Sequence, residues 1–127
     1  KDIQALFANY AGALIRAVDA LKDQGRYAEA LTEITFARKM LPEFAVPFVS
    51  FAEAEIYLET GKGEKADSLF EQILGMSDAS ATLKISIAEQ YRKKGMDEKA
   101  IRVLARLLQD DPGNKEVLEL LSEYQGR

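Results

Sequence analysis

The sequence of 127 residues contains no histidine, no cysteine and no tryptophan. Without cysteine it offers no disulfide, no thiolate nucleophile and no Cys-ligated zinc or iron–sulfur centre. Without histidine it lacks the commonest general base and the commonest side-chain ligand of transition metals. We therefore expect no enzyme activity, no catalytic residue, no metal site and no cofactor.

Positive charge and long apolar runs are also scarce. Lys and Arg number 17 against 21 Asp and Glu, a formal net charge of -4 at pH 7. The chain thus lacks the excess of positive charge that phosphate backbones attract. No stretch approaches the roughly 18 to 20 apolar residues of a membrane span. The sequence predicts a soluble domain that binds no nucleic acid and has no direct membrane span in this fragment, and it leaves the compartment unknown.

A phrase of apolar residues and glycine recurs three times along the chain. Its glycines, Gly25, Gly61 and Gly95, are 36 and then 34 residues apart. Periods of this size are typical of solenoids, in which each unit buries its apolar face only by stacking on its neighbour. The three copies are Val18-x2-Leu21-x3-Gly25-x4-Ala30, Ala54-x2-Tyr57-x3-Gly61-x4-Ala66 and Ala88-x2-Tyr91-x3-Gly95-x4-Ala100.

Each copy has the pattern of a helix, a tight turn and a second helix. In the first copy the apolar stripe of the opening helix predicts a helix from Lys1 to about Gln24, which Gly25 ends. A second stripe follows the glycine, and Pro42 stops it. The opening stripe consists of Ile3, Leu6, Tyr10, Leu14, Val18 and Leu21. The small residues Ala30, Ala66 and Ala100 would let the two helices of each pair approach closely.

These residues resemble the tetratricopeptide repeat family. The strongest likeness lies in Gly25-Arg26-Tyr27-Ala28-Glu29-Ala30-Leu31, and Gly95-Met96-Asp97-Glu98-Lys99-Ala100-Ile101 is similar. The resemblance implies an all-α fold, a right-handed α-solenoid of antiparallel helix pairs forming a superhelix with terminal capping helices. It divides a single domain, 1–127, into an N-terminal helix extension (1–10), three repeats (11–44, 45–80 and 81–114) and a C-terminal capping helix (115–127).

Three residues of the second repeat depart from the family pattern. Ser50 and Glu53 stand where the family usually has large apolar residues, and Asp78 replaces the terminal proline. In the segment Ser77-Asp78-Ala79-Ser80, the Ser and Asp side chains are able to cap the helix that follows. After the third repeat, Val117, Leu118, Leu121 and Tyr124 have the pattern of a further opening helix, which is either a cap or half of another repeat.

The resemblance places the binding surface on a concave groove lined by the opening helices. The candidate groove residues are Ile15, Asp19, Lys22, Phe51, Glu55, Leu58, Ile85, Glu89 and Arg92. One position is apolar in every repeat, and the position one turn later is always acidic. Such a surface favours a peptide or helix segment of a protein partner with apolar and basic character. Alternatively, the apolar positions belong to the core and the carboxylates to a solvated face.

Some family members grip a C-terminal carboxylate with Lys, Asn and Arg at fixed groove positions. The corresponding positions here are Ile15, Asp19, Ala52, Thr82 and Ser86, so the resemblance does not extend to that clamp. We therefore do not expect this chain to bind an acidic C-terminal peptide through such a clamp.

Charge along the chain leaves self-association open. The middle repeat is acidic, the third is basic, and Lys99, Arg102 and Arg106 fall on one helical face. The stack could associate head to tail or dock its basic end on an acidic partner or lipid surface; alternatively, the charges only form a solvated face. An alternative function is a structural or self-assembly domain appended to a larger protein, for which a membrane-anchored protein and an enzyme are both open. The start at Lys1 favours this alternative. Val46-Pro47-Phe48 and Ala52-Glu53-Ala54 also resemble soluble repeat segments of bacterial multi-spanning membrane proteins with glycosyltransferase-like architecture.

Overall fold

A computed structural model describes residues 2–41 and 43–126, and within these ranges the side chains of all residues except 2–8, 11 and 44. The described residues form seven α-helices, one 3-10 turn at Glu43–Ala45 and no strand. The all-α class is therefore confirmed. The helices are α1 (Asp2–Asp23), α2 (Tyr27–Met40), α3 (Val46–Glu59), α4 (Gly63–Leu74), α5 (Ala81–Lys93), α6 (Asp97–Asp110) and α7 (Lys115–Tyr124).

The helices group into two compact units, Lys1–Gly75 and Met76–Arg127. In the first unit α1 packs on α2, α2 on α3 and α3 on α4, and α1 also contacts α3. In the second unit α5 packs on α6 and α6 on α7. The predicted packing of helices in adjacent pairs is thus confirmed, while the repeat boundaries 11–44, 45–80 and 81–114 stay predictions.

Glycine ends the first helix of each pair, as the spacing predicts. Gly25, Gly61 and Gly95 have φ angles of 73°, 76° and 76°, in the left-handed region that a Cβ disfavours. At the second of these turns the amide of Lys62 donates to the carbonyl of Tyr57 at 2.8 Å. This bond satisfies a carbonyl at the end of α3 and turns the chain into α4.

Small residues sit where the helices of each pair pack together. Ala30, Ala66 and Ala100 are fully buried on α2, α4 and α6. A methyl side chain lets neighbouring helix backbones approach closely, whereas a larger side chain would hold them apart. The core of the first unit is built around Val18, Ile34, Val49 and Ile56, together with the buried alanines.

Polar side chains cap two of the later helices. The Ser80 hydroxyl accepts a hydrogen bond from the amide of Leu83 at 3.1 Å, and the Asn114 side chain accepts one from the amide of Val117 at 3.2 Å. Each bond satisfies an amide that has no partner within its helix. Ser80 therefore caps α5 as predicted. Pro42, Lys1 and the side chains of Ile3 and Leu6 lie outside the described residues.

Two of the three departures in the second repeat, Ser50 and Glu53, belong to one hydrogen-bonded network between α2 and α3. Arg38 donates to the buried hydroxyl of Ser50 at 3.2 Å and forms an ion pair with Glu53. The Tyr57 hydroxyl donates to the other carboxylate oxygen of Glu53 at 2.8 Å. Buried polar groups are tolerated when they are hydrogen-bonded, so Arg38 allows Ser50 and Glu53 to replace apolar residues.

Two residues of predicted apolar stripes are exposed. Tyr10 on α1 and Leu118 on α7 each leave a large part of their side chain accessible. A periodic pattern gives the face of a helix but not how far the neighbouring helix extends along it. Among the described residues, no helix has the length and apolarity needed to cross a membrane.

Candidate functional site: the α1–α3 face of the first unit

Three of the predicted groove residues form one stripe along α1. Ile15, Asp19 and Lys22 are separated by four and three residues, which places them on the same face of a helix. Lys22 Nζ lies 2.8 Å from Glu55 Oε1 on α3 and 3.8 Å from Asp19 Oδ1. The stripe therefore faces α3, and the structure brings the predicted residues Lys22, Asp19 and Glu55 together.

The register between α1 and α3 follows from two contacts. Lys22 is level with Glu55, and Ile15 lines the same small apolar cavity as Val49 and Ala52. Ile15 thus lies opposite the region of Val49 and Ala52, and Lys22, further along α1, lies opposite Glu55, further along α3. The two helices therefore run in the same direction. The cavity, of about 10 Å³, holds one water molecule at most. Ile15 packs against this cavity with one side and is only half-buried.

Two apolar groove candidates on α3 are engaged inside the first unit. The ring of Phe51 meets that of buried Phe70 on α4 at a centroid distance of 5.7 Å and an interplanar angle of 59°, a tilted arrangement that aromatic pairs favour. Leu58 is buried. Phe51 is half-buried, so its outer edge is the part that remains accessible.

Phe48 is an exposed aromatic residue that the sequence reasoning missed. It lies three residues before Phe51 and seven before Glu55, on the same stripe of α3. Its side chain is 46% exposed. Because Glu55 is level with Lys22, the residue two turns earlier on α3, Phe48, is level with Ile15. The i, i+3, i+7 spacing to Phe51 and Glu55 was a signal that could have identified it.

We call the surface formed by these two stripes the α1–α3 face. It consists of Ile15, Asp19, Lys22, Phe48, Phe51 and Glu55. The apolar residues Ile15 and Phe48 lie towards the N-terminal ends of the stripes, and the charged residues lie one to two turns further along. The face therefore combines an accessible aromatic ring with carboxylates within a short distance.

The groove candidates of the second unit have different surroundings. Ile85 is 3% exposed, and Glu89 is exposed. Arg92 Nη1 donates to the main-chain oxygen of Tyr124 at 3.2 Å, and its guanidinium carbon lies 4.7 Å from the centre of the Tyr124 ring. A cation at a helix C-terminus donates hydrogen bonds to the last carbonyl groups and interacts favourably with the negative end of the helix dipole. Arg92 therefore fastens the end of α7 to α5.

Two tyrosines have perturbed acidity. The hydrogen bond to Glu53 raises the pKa of Tyr57, and burial raises it further. Burial is the main cause that raises the pKa of Tyr124, with nearby Glu89 adding to it. Both hydroxyls thus hold their proton more tightly than a free tyrosine does. Neither lies on the α1–α3 face.

Lysines repeat one contact in successive helix pairs. The ammonium of Lys65 lies 5.5 Å from the ring centre of Tyr57, and that of Lys99 lies 5.7 Å from the ring centre of Tyr91. Each lysine is eight residues after its tyrosine, across the glycine turn. In the first pair the same positions hold Leu21 and Glu29. These cation–π contacts join the helices of a pair and account for part of the basic face predicted on α6.

In the part of the chain that the structure describes, no three Asp or Glu side chains are grouped as metal ligands. Comparison with family models gives a match to the tetratricopeptide repeat over residues 57–124. The matched region extends from the end of α3 to the end of α7. Comparison with curated proteins gives no match.

Proposed function

Because the chain belongs to the tetratricopeptide repeat family, whose members generally serve as protein-interaction modules, we propose that it is a non-catalytic module that binds a peptide or helix segment of a partner protein. The binding surface is the α1–α3 face. The apolar residues of the partner pack against Phe48, Ile15 and the outer edge of Phe51.

The exposure of Phe48 carries this proposal. An aromatic ring with nearly half of its surface in water gains free energy when a partner covers it, and aromatic residues are enriched among the residues that dominate binding. Here the ring stands beside half-buried apolar side chains and is followed by charged ones. That order resembles the apolar centre and polar rim of protein interfaces.

The family match and the composition support the same function. Lack of histidine and cysteine leaves few side chains for catalysis. A surface that binds an extended or helical segment needs no deep pocket, because contact along two stripes supplies the area.

A selection experiment with a matched control tests this proposal. The purified chain is used to select peptides from a phage-displayed library of random dodecapeptides, and each selected peptide is synthesised and titrated by fluorescence anisotropy. We expect Phe48→Ala to weaken binding about tenfold or more, as truncation of an anchor does. Phe36→Ala is the control, since Phe36 is 45% exposed but lies on α2, away from the α1–α3 face.

Two results would contradict the proposal. One is that the chain enriches no peptide over the unselected library. The other is that Phe36→Ala and Phe48→Ala weaken binding equally. The peptide would then bind elsewhere, or the weaker binding would be a general effect of lost apolar surface. Circular dichroism of both variants checks that their helix content equals that of the wild type.

A further inference from the structure

The charged groups of the α1–α3 face differ sharply in exposure. The side chain of Asp19 is 53% exposed, whereas those of Lys22 and Glu55 are 15% and 16% exposed. The ammonium of Lys22 is hydrogen-bonded to Glu55 at 2.8 Å but stands 3.8 Å from Asp19. Lys22 and Glu55 therefore form a mostly buried pair, and Asp19 is the carboxylate of this group that solvent reaches.

The three-residue group that contains Asp19 has a net negative charge. Asp19, Lys22 and Glu55 together have two carboxylates and one ammonium group. The whole first unit contains 12 acidic and eight basic residues, and so carries the formal net charge of -4 of the entire sequence. An exposed carboxylate on a unit of net negative charge attracts cations and repels acidic segments.

Asp19 also has a fixed position relative to the apolar part of the face. It lies one helical turn after Ile15 on the same stripe of α1, and Ile15 is level with Phe48. One turn rises about 5.4 Å along a helix, close to the roughly 6.6 Å between alternate residues of an extended chain. If one residue of an extended partner lies beside Phe48, the next partner residue that points to the same side would thus lie beside Asp19.

From this arrangement we propose that Asp19 recognises a Lys or Arg side chain of the partner, next to the apolar side chain that Phe48 and Ile15 contact. The inference rests on the proposed function and adds the chemistry of the bound segment. In an extended partner the apolar and basic residues are two positions apart, and in a helical partner three or four. Glu55 does not contact the partner, because its carboxylate is already paired with the ammonium group of Lys22. The Lys22–Glu55 pair instead holds α1 and α3 in register.

The phage-displayed dodecapeptide library tests this inference when it is selected in parallel on three proteins. These are the wild type, Asp19→Asn and the control Asp110→Asn, which removes the same charge from an exposed position on α6. We expect the wild type and Asp110→Asn to enrich Lys or Arg two to four positions from an apolar residue. Asp19→Asn should keep the apolar preference and lose the basic one.

Titration of one selected peptide adds a quantitative test. We expect Asp19→Asn to weaken its binding roughly two- to fivefold, an effect of the size measured for exposed charge pairs. Raising NaCl to about 0.5 M should weaken wild-type binding more than Asp19→Asn binding, since salt screens the charge contact.

The outcomes separate this inference from the proposed function. Apolar peptides without enriched Lys or Arg, or equal affinities of wild type and Asp19→Asn, would overturn the role of Asp19 while leaving the interaction at Phe48 intact. Equal weakening by Asp19→Asn and Asp110→Asn would also overturn it, because the effect would then come from total charge. Selection of no peptide at all would overturn both.

Discussion

Lys22 Nζ lies 2.8 Å from Glu55 Oε1 and joins α1 to α3, the opening helices of the first two pairs. Arg92 makes a corresponding connection in the second unit, from α5 to the end of α7. Both cations stand three residues before a turn glycine, Gly25 or Gly95. One repeat position thus supplies a cation that reaches the next opening helix within each unit.

The Lys22–Glu55 pair makes Glu55 a residue of the fold. Glu55→Lys places two ammonium groups together in a mostly buried position, and we expect it to lower the free energy of unfolding by about 1 to 3 kcal/mol. Urea denaturation followed by circular dichroism measures this change. The double variant Lys22→Glu/Glu55→Lys restores opposite charges and should recover most of the loss. Unchanged stability in Glu55→Lys would show that the pair contributes nothing.

Ala66 tests the close approach of α4 to its neighbours. Because Ala66 is fully buried, Ala66→Leu must push side chains or helices apart, and we expect a loss of about 1 to 3 kcal/mol in the free energy of unfolding. Ala105→Leu is the control at an exposed helical position of α6, where the same substitution should change stability little. Equal urea midpoints for the two variants would contradict the close packing.

Two glycines in one turn are expected to respond in opposite ways to the same substitution. Gly61 has a φ of 76°, so Gly61→Ala forces a Cβ into the left-handed region at a cost of about 1 to 2 kcal/mol. Gly63 begins α4, and a Cβ there meets no atom within 4 Å. Gly63→Ala should therefore stabilise the chain by about 0.4 to 1 kcal/mol, because alanine lowers the conformational entropy of the unfolded chain. Thermal denaturation of both variants measures the signs, and a stabilised Gly61→Ala would contradict the turn conformation.

The helices and their turns could be predicted because the sequence determines them locally. Gly61 demands a backbone that few other residues adopt, Ser80 caps α5 through its own side chain, and apolar spacing sets the inward face of each helix. The repeated copies strengthened these expectations, since Ala30, Ala66 and Ala100 occupy one position three times.

The partners of the charged residues could not be predicted from the same pattern. Whether Lys22 meets Glu55 depends on the register between two helices separated by a third, which composition and periodicity do not fix. Ser50 and Glu53 depart from the family pattern, and only the position of Arg38 on α2 explains why polar side chains are tolerated there. Phe48 was missed because its side chain faces solvent although it lies in an apolar segment.

The hydrogen bond between Tyr57 and Glu53 predicts a dependence of stability on alkaline pH. The folded-state pKa of Tyr57 is raised above its unfolded value of about 10, so this contribution is fully present below about pH 10 and is lost as pH rises through the folded pKa. Tyr57→Phe should lower the free energy of unfolding by about 1 kcal/mol near pH 8. The difference between wild type and variant should then shrink above about pH 10.

Urea denaturation of wild type and Tyr57→Phe at a series of pH values measures that difference. Tyr10→Phe, at an exposed position of α1, is the control for the loss of a hydroxyl group. A difference between wild type and Tyr57→Phe that stays constant through the alkaline range would contradict the coupling of Tyr57 to Glu53.

The location of the binding surface can be measured directly by nuclear magnetic resonance. The uniformly ¹⁵N-labelled chain is titrated with a peptide selected from the dodecapeptide library, and the amide chemical shifts are followed residue by residue. Binding at the α1–α3 face predicts that the largest shifts fall in residues 15–22 and 48–55. Largest shifts around Phe36 and Met40 on α2, or confined to the second unit, would contradict it.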